Sequence, residues 1–333
     1  PPGSAVAGWL GDAVKSVVDD ETPARASGLE ELPGGGRILA LATPDEGGPL
    51  APWIAGEGGH HRLVGHVDRA TWSPHGRFVA ASRDSELFAL DLQGARRWSI
   101  AAPGRVHDVR WSPDGFRVAY TAGSELRLVA GDGTGDRQVA TMLPGEPPDF
   151  GAFAWRPGRG HVLAFVKRRS LFLADLDQRR VLWRVTVRDR PTLDFAPRGG
   201  RLLLSGRDGI RVLRARDGRT LQRVPQAAGT NLVDAVWDRT GRRFAAVRKD
   251  ATRAEVLVGR PDGRTIRLRR RFAAGELNLV GFSPDNRWLL VDWTESGAWL
   301  FLPTDGGRPR QLTGVARRFG ALDVQPQAWC CPP

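Results

Sequence analysis

The sequence predicts an all-β chain folded as a seven-bladed β-propeller of four-stranded antiparallel blades, preceded by a short N-terminal helix. Three observations carry that prediction. The stretch "VRWSPDGFRVAY" (109–120) returns in altered form along the chain. Its aromatic anchors Trp72, Trp111, Trp155, Phe195, Trp237 and Phe282 stand 39, 44, 40, 42 and 45 residues apart, a period that matches one four-stranded blade. The runs that follow each anchor, such as "RFVAAS", "RVAYTA" and "RLLLSG", are apolar at consecutive positions. Strands of that kind are buried on both faces, as the inner strands of stacked blades are.

Along the chain, "SAVAGWLGDAVKSVVDD" (4–20) opens with Val6, Trp9, Leu10, Ala13, Val14 and Val17 at helical spacing. It is read as a helix, with residues 1–26 as helix and linker, 27–329 as propeller and 330–333 as a tail. "PGGGRILALATP" (33–44), "PLAPWIAG" (49–56) and "HHRLVGH" (60–66) supply the second, third and fourth strands of a blade that lacks its first. Six full units follow. In each, a short first strand ends at the aromatic anchor and Pro and Gly make a tight corner. A buried second strand and a third strand such as "SELFALDL" (85–92) come next, then Asp-Gly hairpin chemistry. A more polar fourth strand, for example "RRWSIA" (96–101) or "TIRLRR" (265–270), suits the water-facing edge. At the end, "GALDVQP" (320–326) places Val324 42 residues after Phe282 and predicts the missing first strand. The ring is then closed by joining its two ends, which removes free sheet edges. "GLEEL" (28–32) is the competing candidate for that strand.

Composition narrows the class. At 333 residues with 41% hydrophobic and 26% charged residues, the chain reads as a globular protein with a large core. No stretch reaches the roughly 20 apolar residues of a spanning helix. The formal charge is +12, and only Lys15, Lys167 and Lys249 among the 49 basic residues are lysines. Arginines punctuate nearly every turn and are not gathered on one aromatic-laced stripe, which argues against a specific nucleic-acid site. The only cysteines, Cys330 and Cys331, are adjacent. Neighbouring Cα atoms lie closer than disulfides normally require, so their redox state is left open. Met142 is the only methionine, and the sequence leaves open a trimmed initiator or a portion of a longer precursor.

The units resemble the TolB-like and WD-repeat-like β-propeller families, with "RWSPDGFRVAYTAGSELRLVAGDGTGD" (110–136) as the closest copy and the likeness spanning about residues 33–326. Gly65-His66 is an isolated match to the Gly-His of true WD repeats, and "ALD" (89–91) stands where Trp-Asp would be, so the TolB-like side is favoured. The opening "PPGSAVAGWLGDAV" and the ending "AWCCPP" look like membrane-tethered actinobacterial proteins that carry such a propeller outside the membrane. The resemblance implies an extracytoplasmic scaffold that binds proteins or envelope components, with a possible tether upstream of residue 1.

Chemical sites find little support in the residues. The α/β-hydrolase domain that accompanies propeller peptidases needs a G-x-S-x-G elbow, and none occurs. A triad of His107, Ser112 and Asp114 is disfavoured: Ser112 recurs as Ser73 and Ser283 but is Arg156, Ala196 and Asp238 elsewhere, the behaviour of a corner residue. His60 and His66 face opposite His61 on one strand, and Asp132 and Asp136 lack the full ligand series of a calcium loop. No metal or cofactor is expected. In a propeller, the turns between second and third strands share a face with the connections between blades. That face gathers Arg83, Arg105, Lys167, Arg168, Arg169, Arg207, Arg248, Lys249 and Arg269 to Arg271. It is expected to bind an acidic protein segment or anionic polymer through charge-assisted hydrogen bonds. The competing reading is an enzyme with Asp108, Asp194, Asp234 and Asp323 converging on the central channel.

Overall fold

The computed structural model describes residues 32–331 except 45, 47, 57–58, 64, 142–151, 159, 189–190, 227–228, 262–265 and 274. The helix expected over 4–20 lies outside the described residues, as does most of the segment 28–32. Seven four-stranded sheets are present, and all their pairings are antiparallel. Six run in simple chain order: blades two to seven, from Arg69–Ala101, Val106–Thr141, Phe153–Thr186, Thr192–Val224, Asn231–Ala273 and Leu277–Leu312. Every first strand in these six ends on the expected anchor, from Trp72 to Phe282.

Blade one is the composite. Its second to fourth strands are Arg37–Thr43, Ala51–Gly56 and Gly59–Arg62, and its first is Asp323–Cys330, paired with Arg37–Thr43. Closure therefore comes from the C-terminal side, as "GALDVQP" suggests, but the anchor is not Val324. Ile38 pairs with Trp329 as Val118 pairs with Trp111 in blade three, so the equivalent position is Trp329. The last connection carries an extra element, the five-residue helix Val315–Phe319, and this insertion pushes the strand along the chain. Cys330 belongs to that strand and not to a loose tail, and it is disulfide-bonded to Cys331. Cys331 rests against Gly76 in the corner of blade two.

The core is not central. The buried residues form seven clusters, each shared by two neighbouring blades. In blade two, Val79 and Ala81 pack toward blade one while Ala80, between them, packs toward blade three. This is the physical reason for the consecutive apolar runs: successive side chains alternate sides, and both sides are interfaces. Indole N–H groups add polar ties across the same interfaces. Trp155 Nε1 donates to Arg110 O at 3.0 Å and Trp237 Nε1 to Asp194 O at 3.2 Å, in each case the carbonyl just before the preceding blade's anchor. Trp329 Nε1 closes the ring by donating to Gly35 O at 2.8 Å.

The Ser-Pro-Asp-Gly stretch makes the corner between first and second strands. Ser112 is buried, its Oγ donates to Asp114 Oδ1 at 2.6 Å and accepts Arg117 N–H at 2.9 Å, and Gly115 N–H bonds Ser112 O. Blade seven repeats this with Ser283 and Asp285, and in blade six the buried Asp238 carboxylate takes over, accepting from the N–H groups of Arg242 and Arg243. Gly115 holds φ +78° and the equivalent Gly199 φ +65°, the left-handed region that glycine enters without cost.

Candidate binding site on the loop face

One end of the ring is built from the turns between second and third strands and the blade-to-blade connections. Backbone bonds knit them: Val106 N–H donates to Asp84 O at 2.7 Å, Gly123 N–H to Arg105 O at 3.0 Å, and Val187 N–H to Arg169 O at 2.9 Å. The eight expected cations from Arg83 to Lys249 lie in these turns and connections or at the strand ends beside them, and Arg269 to Arg271 lie in the strand Ile266–Ala273, but their electrical states differ.

Several are already paired. Arg83 lies 3.5 Å from Glu86, and Arg105 lies 3.5 Å from Asp68, a carboxylate of the preceding connection. Arg248 donates to Glu255 Oε2, and Arg271 donates to Oε1 of the same carboxylate at 3.1 Å. Burial would raise the Glu255 pKa, but the hydrogen bonds from the two arginines outweigh it and hold the carboxyl below its ordinary range. Lys249 stands near Asp234 and Lys167 donates to Thr141 O.

Blades four and five differ. Arg169 and Arg207 are exposed, and neither has a side-chain partner among the described residues. Arg168 sits beside Arg169 at the tip of the turn, in the left-handed region at φ +55°. Arg188 follows Val187 in the next connection and lies 3.8 Å from Asp208. Pro191 then packs beside Gly206 and Arg207 around a small indentation. A continuous basic arc thus runs from Lys167 to Arg207. Around blades seven and one both signs occur: Glu276, Asp292 and Asp323 stand near one another, and Arg317 and Arg318 of the helix Val315–Phe319 are exposed. Burial pushes the Asp292 carboxyl up to about 6, helped by Asp323 and Glu276 nearby and only partly offset by the Thr294 hydroxyl and Asn278. Carboxylates thus gather on this side of the ring, whereas the arc from Lys167 to Arg207 is mainly basic.

The channel carboxylates are bound into the architecture. Asp194 Oδ2 accepts Trp237 N–H from the next blade at 2.6 Å. Burial still pushes its pKa up to about 7, against that bond and the charge of Arg110. Asp234 likewise accepts from Leu279 N–H in the next blade, and burial raises its pKa too. Asp108 caps its own strand through Val109 N–H and meets Arg110, while Asp323 accepts from Gln325.

Elsewhere, His107 gives its carbonyl to Arg69, and Ser112 makes no hydrogen bond with it among the described residues. A different histidine reaches the corner of blade three: His161 Nδ1 meets Asp177 at 2.7 Å and Nε2 lies 3.1 Å from Asp114. The hydroxyl of Ser112, the N–H of Phe116 and this imidazole together outweigh burial and lower the Asp114 pKa. His60 packs on Trp53 and Phe319, and His61 meets Leu92 O. Asp132 caps its hairpin at Thr134, while Asp136 accepts from buried Tyr120 and from Arg127. Among the described residues no three His, Cys, Asp or Glu side chains come together as a metal site, and no helix is long and apolar enough to cross a membrane.

No family model matches the chain, and no curated protein matches it. Among solved structures it is similar to hydrazine synthase of Kuenenia stuttgartiensis, with a TM-score of 0.56 over 71% of this chain and 76% of that one, at 13% identity. That likeness shows the fold, and the fold hosts many functions. What the chain shares with it is a ring of β blades.

Proposed function

We propose that this protein is a non-catalytic binding or scaffold propeller of the TolB-like kind, which engages an acidic protein segment or an anionic envelope polymer through its loop face. The observation that carries this reading is the basic arc over blades four and five, where Arg169 and Arg207 stand exposed without a carboxylate partner among the described residues. Exposed guanidinium groups matched to planar anions give bidentate, charge-assisted bonds, and a one-signed arc steers charged partners toward it. The uptake of Asp194 and Asp234 by neighbouring backbone N–H groups supports a structural role for the channel carboxylates. On this reading the protein works outside the cytoplasm, held near the envelope by a tether ahead of residue 1, and needs no cofactor.

The test is binding of poly-L-glutamate and of poly(glycerol phosphate) to the wild type and to the triple variant Lys167→Glu, Arg168→Glu, Arg169→Glu. Affinity for at least one polymer should fall about tenfold or more, with a shallower salt dependence. Unchanged affinity for both overturns the reading.

A further inference from the structure

The corner stretch of blade three contains one residue that the corner does not need. The position after the corner glycine is Arg77 in blade two, Gly200 in five and Arg242 in six, and after Asn286 in blade seven it is Arg287; the corner of blade four is one residue longer. In blade three it is Phe116, and its side chain is 66% exposed. The backbone N–H of Phe116 makes the same cap to Asp114 that Arg287 makes to Asp285, so the aromatic ring adds nothing to the turn.

The ring instead helps line a cleft of about 450 Å³ between blades two and three, together with Trp98, Arg97 and Arg117. That volume falls in the range of ligand pockets. Trp98 is fixed in place by its indole N–H, which donates to Gly131 O at 2.8 Å. The cleft continues: Arg117 and Ala130 also border a second hollow of about 290 Å³ beside Thr134 and Gly135. Arg137 on its far side borders a third, of about 260 Å³, between blades three and four. Val181, 53% exposed, stands in this last hollow with Arg179 and Arg180. The hollows share lining residues and so follow one another around the outer corner of blade three as a groove of successive clefts, with an exposed apolar side chain at each end.

Charge in the groove is net positive: Arg97, Arg117, Arg137, Arg179 and Arg180 border it against two carboxylates. The carboxylates that border it, Asp132 and Asp175, are spent on their own hairpins, accepting from Thr134 and from the N–H groups of Asp177 and Gln178. Arg97 is 58% exposed and 3.7 Å from Asp91, a loose pair worth little at a surface.

We infer that this groove is a second binding site, distinct from the loop face, for an extended acidic segment of a partner protein whose apolar side chains enter the clefts at Phe116 and Val181. Charge complementarity sets the acidic character, and the apolar ends demand side chains that a pure polyanion lacks. One aromatic and one aliphatic residue do not form the succession of stacking platforms that single-stranded nucleic acid uses. The strand Arg137–Thr141 is the outermost of its sheet, and the backbone of an extended peptide can add beside an outer strand.

The experiment is fluorescence anisotropy with a short fluorescein-labelled peptide alternating aspartate with leucine and phenylalanine. Poly-L-glutamate and oligothymidylate serve as competitors. Phe116→Arg, which installs the residue found in other blades, and Arg97→Glu should each weaken peptide binding about tenfold or more. The triple Lys167, Arg168, Arg169 variant should bind it as the wild type does, which separates this site from the loop face. Both single changes are at exposed side chains, and circular dichroism with thermal melting confirms that each variant is folded. Retained affinity in Phe116→Arg, loss in the loop-face variant alone, or tighter competition by either polymer overturns the inference.

Discussion

Asp194 holds its place through two opposed forces. Trp237 N–H stabilises its carboxylate at 2.6 Å, yet burial keeps its pKa up at about 7, well above the value near 3.9 of an unfolded chain. At pH values below both, folded and unfolded chains carry the proton alike. Between about 4 and 7 the folded state keeps a proton that the unfolded state loses, so stability falls as pH rises through this window and levels off above it. Asparagine keeps the acceptor for Trp237 and removes the titration. Asp194→Asn is therefore expected to match the wild type near pH 4 and to exceed it at pH 8 by an amount on the order of 1–4 kcal/mol. Urea denaturation at the two pH values measures this, and equal stability at pH 8 would show that the carboxylate is fully compensated.

At the scale of the element, the corner is the repeated unit of this protein and its polar atoms are fully used. Ser112→Ala leaves the N–H of Arg117 without its acceptor and removes the hydroxyl donor to Asp114, at a residue that is 1% exposed. An expected cost of about 1–3 kcal/mol follows, visible as a lower midpoint in urea with an unchanged slope. Aspartate at the same position should retain much of the stability, because Asp238 already caps the corner of blade six. The corners, the anchors and the doubly buried strands were legible in the sequence because each depends on residues within one repeat. The last anchor was not: the period placed it at Val324, and the helix Val315–Phe319 moved it to Trp329. The charged face was legible as a sum and illegible as a pattern. Arg105 meets Asp68 and Arg271 meets Glu255 only after the turns are brought together by pairing and stacking, and those contacts decide which cations stay free. Phe116 was in plain view within the motif, and its departure from arginine or glycine at that position was the available signal.

At the scale of the whole molecule, the ring has no centre to hold it. Stability resides in seven interfaces between neighbours, and one of them is completed by the strand from Asp323 to Cys330. Trp329 fills that interface and donates to Gly35. Trp329→Ala is expected to cost about 3–5 kcal/mol. Deleting residues 323–333 should abolish the cooperative thermal transition altogether, as followed by circular dichroism. A deleted chain that melts in one sharp step would show that six full blades and three strands of blade one suffice.

This closure also sets a clock. The strands Arg37–Thr43, Ala51–Gly56 and Gly59–Arg62 leave the ribosome before the other six blades, and their partner Asp323–Cys330 follows all of them. At about 5–20 residues per second, the strand Arg37–Thr43 waits on the order of tens of seconds with one edge unpaired. Exposed strand edges recruit other chains, so the interval during synthesis, more than any weakness of the finished ring, is when this protein is most exposed to aggregation.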